Sequence, residues 1–335
     1  MNSSLSHTVK IEISYLGLAV QRMVKNLNKD KLIGKVHSVF SNAFNVIGPC
    51  GLITVLHGAV RHPAAITLED FSGTFTGMIE PGWVLIKGQD EMQVLSPTEK
   101  VELSLSLRDA AIWDGGTSEL SRFALRNEIR AMCRKGASSG WPADLSCMAE
   151  AYNQWGKGGF MGRYIPLVCA SSGEVICREN TDYAATAISR LIEAIKCNHC
   201  ENMEAAVLCL LGLGHGLTPS GDDMLGGLMA TLVLVGQGTG FPSAPIEHLR
   251  RCIRENAPKR TTTLSSHLLR YACEGMVCDL FFALIVALAL GRAEVKRRAK
   301  AALKWGGSSG EDTTLGICLG FRLCALFFRG GIDQL

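Results

Sequence analysis

Charge is scarce in this chain, and so are aromatic side chains. Lys, Arg, Asp and Glu make up 19% of its 335 residues, and Phe, Trp and Tyr make up 7%. A formal net charge of +3 is too small to suggest nucleic acid, because gripping a phosphate backbone needs basic residues clustered on one face. No apolar run reaches the ~20 residues of a membrane-spanning helix. The most apolar stretch, Leu280 to Leu290, follows Asp279 and is about half that length. It reads as a buried helix. The apolar stretch Tyr15 to Val20 is short, is preceded by Glu12 and has no small-residue cleavage pattern after it, so no signal peptide is expected. Cys197, His199 and Cys200 lie together, yet no second CxxC or HxxxH follows at the spacing of a structural zinc site. Thirteen cysteines, an odd number, lie mostly in apolar runs such as Val207 to Leu211 and Gly316 to Leu326. There they act as small hydrophobes, which suits a reducing cytoplasm.

What is present is a globular balance, 47% hydrophobic, on a chain long enough for two cores. The first half predicts an antiparallel β domain. Val36 to Phe40, Gly51 to Leu56, Ala65 to Leu68, Gly82 to Ile86 and Val101 to Leu107 are short β-rich runs bounded by turn residues. A helix is expected at Leu120 to Cys133, and Gly156 to Gly162 reads as a flexible connector. After Asp182 apolar residues recur at three and four residue spacing, as in Ala187, Leu191, Ile195 and in Leu225, Leu228, Leu232, which predicts helices. Further helices are expected at Pro245 to Arg254, at Leu264 to Leu290 with a break near Gly275, at Arg292 to Lys304 and at Thr313 to Arg329. The expected class is α+β: a mainly β domain over 1–160, with an N-terminal helix and the connector, then a mainly helical domain over 161–335.

The strongest local signal is Gly212-Leu-Gly-His-Gly-Leu-Thr-Pro-Ser-Gly-Asp-Asp223, directly followed by the apolar helix Met224 to Val235. Glycines let the backbone adopt conformations closed to other residues and let a ligand come close. Ser220 is placed as a helix cap with Asp223 three residues on. A helix start exposes unpaired N–H groups, so Gly214, His215, Gly216, Thr218, Ser220 and Gly221 are candidates to hold a small anion. The same grammar returns at Gly306 to Asp312, where Ser309-Gly310-Glu311-Asp312 repeats Ser220-Gly221-Asp222-Asp223 with one extra methylene. Thr313 continues into the last helix. Two such starts facing each other would set backbone donors beside Asp222, Asp223, Glu311 and Asp312, with Asp222, Asp223 and Asp312 the candidate catalytic carboxylates. Carboxylates repel an anion unless helix N–H groups, a basic side chain or a divalent cation intervenes, so magnesium is left open as a cofactor. Against all this stands plain capping, since acidic residues in a first turn stabilise a helix by about 0.3 to 1 kcal/mol without any ligand.

A third segment, Lys259 to Tyr271, offers Arg260, Thr262, Thr263, Ser265 and Arg270, types that bond phosphate or a planar carboxylate. Its plain reading is a Thr or Ser cap before a helix. His215 and His267 are the histidines closest to these motifs, and packing explains each as well as proton transfer does.

These three segments, Gly216 to Gly227, Thr262 to Ala272 and Ser309 to Gly316, resemble in order and spacing the signature of the AllH-like family of oxamate carbamoyltransferase subunits. The N-terminal half resembles the family only in its run of short strands, including Asn45 and Leu52 to Leu56. The resemblance implies a small anionic substrate (oxamate or oxalurate, carbamoyl phosphate or phosphate) and companion carbamoyltransferase subunits. It implies the conversion of oxalurate and phosphate to oxamate and carbamoyl phosphate in anaerobic allantoin degradation. Glycine backbone near 214, 216 and 221 would hold phosphate, and Arg260 or Arg270 the carboxylate. Asp222 or Asp312 would orient the attacking group or carry a proton. This chain is longer than the shorter form of the family, with an extended N-terminus and inserts around 109 to 162, so another ureido or carbamoyl substrate is open. Two other readings compete: a noncatalytic subunit that binds a ligand or completes an interface, and a metal-assisted hydrolase resembling the ADP-ribosylglycohydrolases.

Overall fold

A computed structural model describes residues 8–49, 51–116, 118–136, 145–170 and 182–330. The chain divides into two compact units, Met1–Gly115 and Gly116–Leu335.

The first unit is one ten-stranded sheet. Its strands are β1 (Val9–Glu12), β2 (Tyr15–Gly17), β3 (Leu32–Val39), β4 (Ala43–Gly48), β5 (Gly51–His57), β6 (Ala65–Leu68), β7 (Val84–Lys87), β8 (Glu91–Leu95), β9 (Val101–Ser106) and β10 (Ala111–Trp113), with one helix, α1 (Leu18–Lys25). They lie in the order β1-β9-β8-β7-β3-β4-β5-β6-β2-β10. Six of the nine pairings are antiparallel, as expected; β1 with β9, β10 with β2, and β5 with β6 are parallel. Alternation puts one side of a strand inside, as on β8, where Met92 and Val94 are fully buried between half-buried neighbours, while all four residues of β6 are buried. Phe44 and Phe75 meet edge to face at 5.0 Å in this core, a favoured aromatic geometry.

The second unit is helical. It holds α2 (Glu119–Gly136), α3 (Ser146–Trp155), a 3-10 turn at Gly162–Tyr164, α4 (Ile165–Cys169), α5 (Tyr183–Lys196), α6 (Cys200–Leu210), α7 (Ser220–Thr239), α8 (Ser243–Arg260), α9 (Thr263–Ala272), α10 (Asp279–Ala289), α11 (Val295–Leu303) and α12 (Ser309–Gly330). Residues 116–160, grouped with the strands in the sequence reading, fall in this unit; Ile129 of α2 is fully buried beside Gly238 of α7. The expected break near Gly275 is real, since that residue takes φ 72° between α9 and α10. Among the described residues no helix is long and apolar enough to cross a membrane.

Helices α7 and α12 form the axis of this unit and run side by side in the same direction. Thr218 and Ser309 touch just before or at their starts, and Phe241 and Phe327 meet at 4.5 Å beyond or near their ends. The approach is close enough to need glycine. A Cβ on Gly227 would collide with the Thr313 carbonyl, and one on Gly316 with the Met224 carbonyl. Parallel helices bring two positive dipole ends together, an arrangement that acidic first turns relieve. Both helices supply them: Asp222 and Asp223 on α7, Glu311 and Asp312 on α12.

Candidate functional site

The two helix starts converge, and they do so with internal two-fold order. Position 309 answers 220, 312 answers 223, 316 answers 227 and 320 answers 231, each pair 89 residues apart. The contacts follow the same exchange. The Ser309 hydroxyl lies beside the Asp223 carboxylate and the Ser220 hydroxyl beside that of Asp312. Gly227 meets Thr313 while Gly316 meets Met224, the residue that Thr313 answers.

The four carboxylates divide into two kinds. Asp222 and Glu311, 1% and 0% exposed, turn away from the axis and hold neighbouring chain. Asp222 Oδ1 accepts the Gly212 N–H at 2.9 Å, and its Oδ2 accepts the Ser265 hydroxyl at 2.7 Å and the Thr261 hydroxyl. Glu311 accepts the backbone N–H of Lys157 on one oxygen and of Gly159, at 2.7 Å, on the other. Both are tethers. Asp223 and Asp312 are different. Asp312 Oδ1 accepts Met161 and Gly162 N–H at 2.9 and 3.0 Å, yet its Oδ2 is buried without a partner, and so is Oδ2 of Asp223. An unpartnered buried acceptor is costly, and here two occur at equivalent positions.

Burial lifts the proton affinity of this group. It holds the Asp223 carboxyl well above the usual range, opposed by the Ser309 hydroxyl and reinforced by the charge of Asp312. Asp312 is raised by the same cause against the Ser220 hydroxyl. Asp222 is raised by burial, with the Thr261 hydroxyl and the Gly212 N–H pulling the other way. Tyr152, raised first by burial and then by Glu311 and Asp312, borders the same region.

Several sequence expectations change at this point. Ser220 is not the cap of α7: Pro219 holds that position, and its carbonyl accepts the N–H of Asp222 and Asp223. Gly221 and Gly310 are not free anion donors, because their N–H groups reach Leu213 O at 2.8 Å and Trp305 O at 3.1 Å. Each instead lets its helix start lie against a carbonyl, Leu210 and Ala302 respectively. Gly214 packs on Ser220, while His215 and Gly216 are exposed, with open space where a Gly216 side chain would be. Thr218 lies 3.0 Å from Ser309, oxygen to oxygen. Thr313 is buried in the helix pair.

The third segment splits across α9. Thr262 caps the helix by accepting the Ser265 N–H and also donates to Leu217 O at 2.5 Å, so Thr262 and Ser265 belong to the site. Thr263 and Arg270 do not. They line a separate cavity of about 450 Å³ between α8 and α9, with Arg254, Ser266 and His267. Arg260 is exposed, its carbonyl against Gly212. The residues that the sequence missed are Thr261 and the segment Lys157 to Gly162. That segment is no loose connector; Glu311 and Asp312 hold it by four N–H groups, and Lys157 Nζ bonds Gly306 O at 2.9 Å and Gly307 O at 3.2 Å. Its density of glycine was the available signal.

Two of the four carboxylates, Asp222 and Glu311, are thus bonded to protein donors through both oxygens. Among the described residues no three His, Cys, Asp or Glu are grouped to hold a metal ion. His199 caps α6 by accepting the Asn202 N–H, and Cys200 lies 3.1 Å from His248 Nδ1.

Comparison with known families decides the affiliation. Residues 210–321 match the family model described as oxamate carbamoyltransferase subunit AllH, and residues 9–111 match that of the AllH family N-terminal domain. The chain belongs to the AllH family. No solved structure matches it. The C-terminal AllH match contains both helix starts with Asp222, Asp223, Glu311 and Asp312. The Lys157 to Gly162 segment lies between the two AllH matches.

Proposed function

We propose that this chain is a working subunit of a carbamoyltransferase that converts oxalurate and phosphate to oxamate and carbamoyl phosphate in allantoin and purine nitrogen breakdown, with its site at the paired starts of α7 and α12. The observation that carries this reading is the pair of unpartnered buried carboxylate oxygens on Asp223 and Asp312, inside the stretch that matches the AllH subunit. Companion subunits follow from the family's description as a subunit.

The reaction needs one proton moved and one developing charge stabilised. A phosphate oxygen adds to the ureido carbon, the C–N bond to the oxamyl nitrogen breaks with its electron pair, and the proton that phosphate loses ends on that nitrogen. A carboxyl whose proton affinity is raised above the ordinary carboxylate range can serve as such a relay. Asp223 and Asp312 have the environment for it. The hydroxyls of Thr218, Ser220 and Ser309 can donate to oxygen as charge develops on it, and exposed Arg260 beside the glycine segment can pair with a substrate carboxylate.

The test is reconstitution with the companion subunits. Carbamoyl phosphate should form from oxalurate only when phosphate and this chain are both present. Full turnover from the other subunits without this chain would favour a noncatalytic, assembly role, and hydrolysis by this chain alone would favour the hydrolase reading.

A further inference from the structure

The paired helix starts offer acceptors as well as donors. At the paired helix starts the N–H groups of Gly212, Gly221 and Gly310 are already bonded within the chain. Among the described residues two buried acceptors there have no partner, Oδ2 of Asp223 and Oδ2 of Asp312, both shut off from solvent. Hydroxyls stand beside these carboxylates, those of Ser309 and Thr218 at Asp223 and those of Ser220 and Ser308 at Asp312. Lys157, the first residue of the tethered segment, turns its amine to the carbonyls of Gly306 and Gly307. A phosphate placed against the two carboxylates would meet like charge.

We propose that Asp223 and Asp312 form the seat of a terminal amino group, the –NH2 of a ureido or carbamoyl ligand, with each Oδ2 accepting one of its two N–H bonds. The proposal rests on the carbamoyltransferase reading for the ligand class, but its geometry is the chain's own. A planar –NH2 carries two equivalent donors about a local two-fold axis, and the two aspartates are exchanged by the internal two-fold order of α7 and α12. Two acceptors shared by one –NH2 stand roughly 5 Å apart at normal N–H···O lengths. The two carboxylates are near enough for the charge of Asp312 to act on Asp223.

Two matched probes test this on the full chain in its reconstituted complex. N-carbamoylglycine and N-acetylglycine differ only in –NH2 against –CH3, and isothermal titration gives the affinity of each. Hydrogen bonds to charged groups contribute about 1.5 to 3 kcal/mol, so the ureido probe should bind at least tenfold more tightly. Asp223→Asn and Asp312→Asn should each reduce that preference several-fold, and the double variant should abolish it, while melting confirms that all are folded. Equal binding of the two probes by the unaltered protein, no binding of either, or an unchanged preference in the double variant would overturn the seat. Failure here with intact carbamoyl phosphate formation removes the seat and leaves the transferase reading. A ureido preference that depends on the two aspartates, without phosphate-dependent turnover, does the reverse.

Discussion

Glu311 and Asp312 are adjacent in sequence and equally buried, at 0% exposure each, and neutralising them should move stability in opposite directions. Glu311 uses both oxygens as acceptors for backbone N–H groups, those of Lys157 and Gly159. In Glu311→Gln one oxygen becomes an amide –NH2 that faces a backbone N–H, so a charge-assisted bond is lost and a buried donor is left unpaired. Together these cost about 2 to 4 kcal/mol. In Asp312→Asn the single oxygen that accepts Met161 and Gly162 is retained, and the new –NH2 replaces an oxygen that had no partner. It can donate to the neighbouring Ser220 or Ser308 hydroxyl. Removing an unpaired buried charge should then outweigh the weakening of two bonds, a net gain of about 1 kcal/mol. For a unit of this size each kcal/mol shifts the melting point by roughly 2 to 4 °C. Thermal melts at pH 7 should therefore place Asp312→Asn a few degrees above the unaltered protein and Glu311→Gln clearly below it. A loss in Asp312→Asn comparable to that in Glu311→Gln would show that Oδ2 of Asp312 has a partner, and the division into tethers and open acceptors would be wrong.

A pH dependence follows from the same group. Burial raises Asp222, Asp223 and Asp312 above the ordinary aspartate value of 3.8, so between about pH 4 and their folded values the folded state holds protons that the unfolded state has released, and stability falls as pH rises through that window. Asp223→Asn should flatten that fall, and urea midpoints measured from pH 4.5 to 7 that decline as steeply as in the unaltered protein would count against it. The closeness of the helix pair predicts that Gly227→Ala or Gly316→Ala, which would set a methyl into the Thr313 or Met224 carbonyl, costs about 3 kcal/mol or more; Gly226→Ala, with only ordinary contacts around it, serves as the control and should be nearly neutral.

Much of the fold could be read from the sequence because the signals are local. Alternation marked strands such as β5 and β6, and the repeat of Ser-Gly-acid-Asp marked both helix starts. β1, β2 and β10 were not recognised as strands: each is three or four residues long and pairs with a strand remote in sequence. No local pattern encodes such a partner. Ser220 was misread as a cap because nothing in Thr-Pro-Ser-Gly-Asp-Asp distinguishes a capping serine from a first-turn serine; the difference is that its hydroxyl faces Asp312, 92 positions on. That Gly221 and Gly310 are not free donors was hidden for a related reason, since the carbonyls that their N–H groups reach belong to Leu213 and Trp305, in loops of unequal length. The split of the third segment, by contrast, was available: Thr262 and Ser265 are three apart, and so are Thr263 and Ser266, which is the spacing that sorts residues onto faces of a helix.

The measurement closest to the central claim is turnover of the reconstituted complex carrying Asp223→Asn and Asp312→Asn together. Removing both the amino-group seat and the proton relay should lower phosphate-dependent carbamoyl phosphate formation by about a hundredfold or more, while the complex assembles normally and the variant chain melts no lower than the unaltered one. Unchanged turnover in a properly assembled complex would mean that the paired helix starts are a structural joint and that the chemistry lies elsewhere.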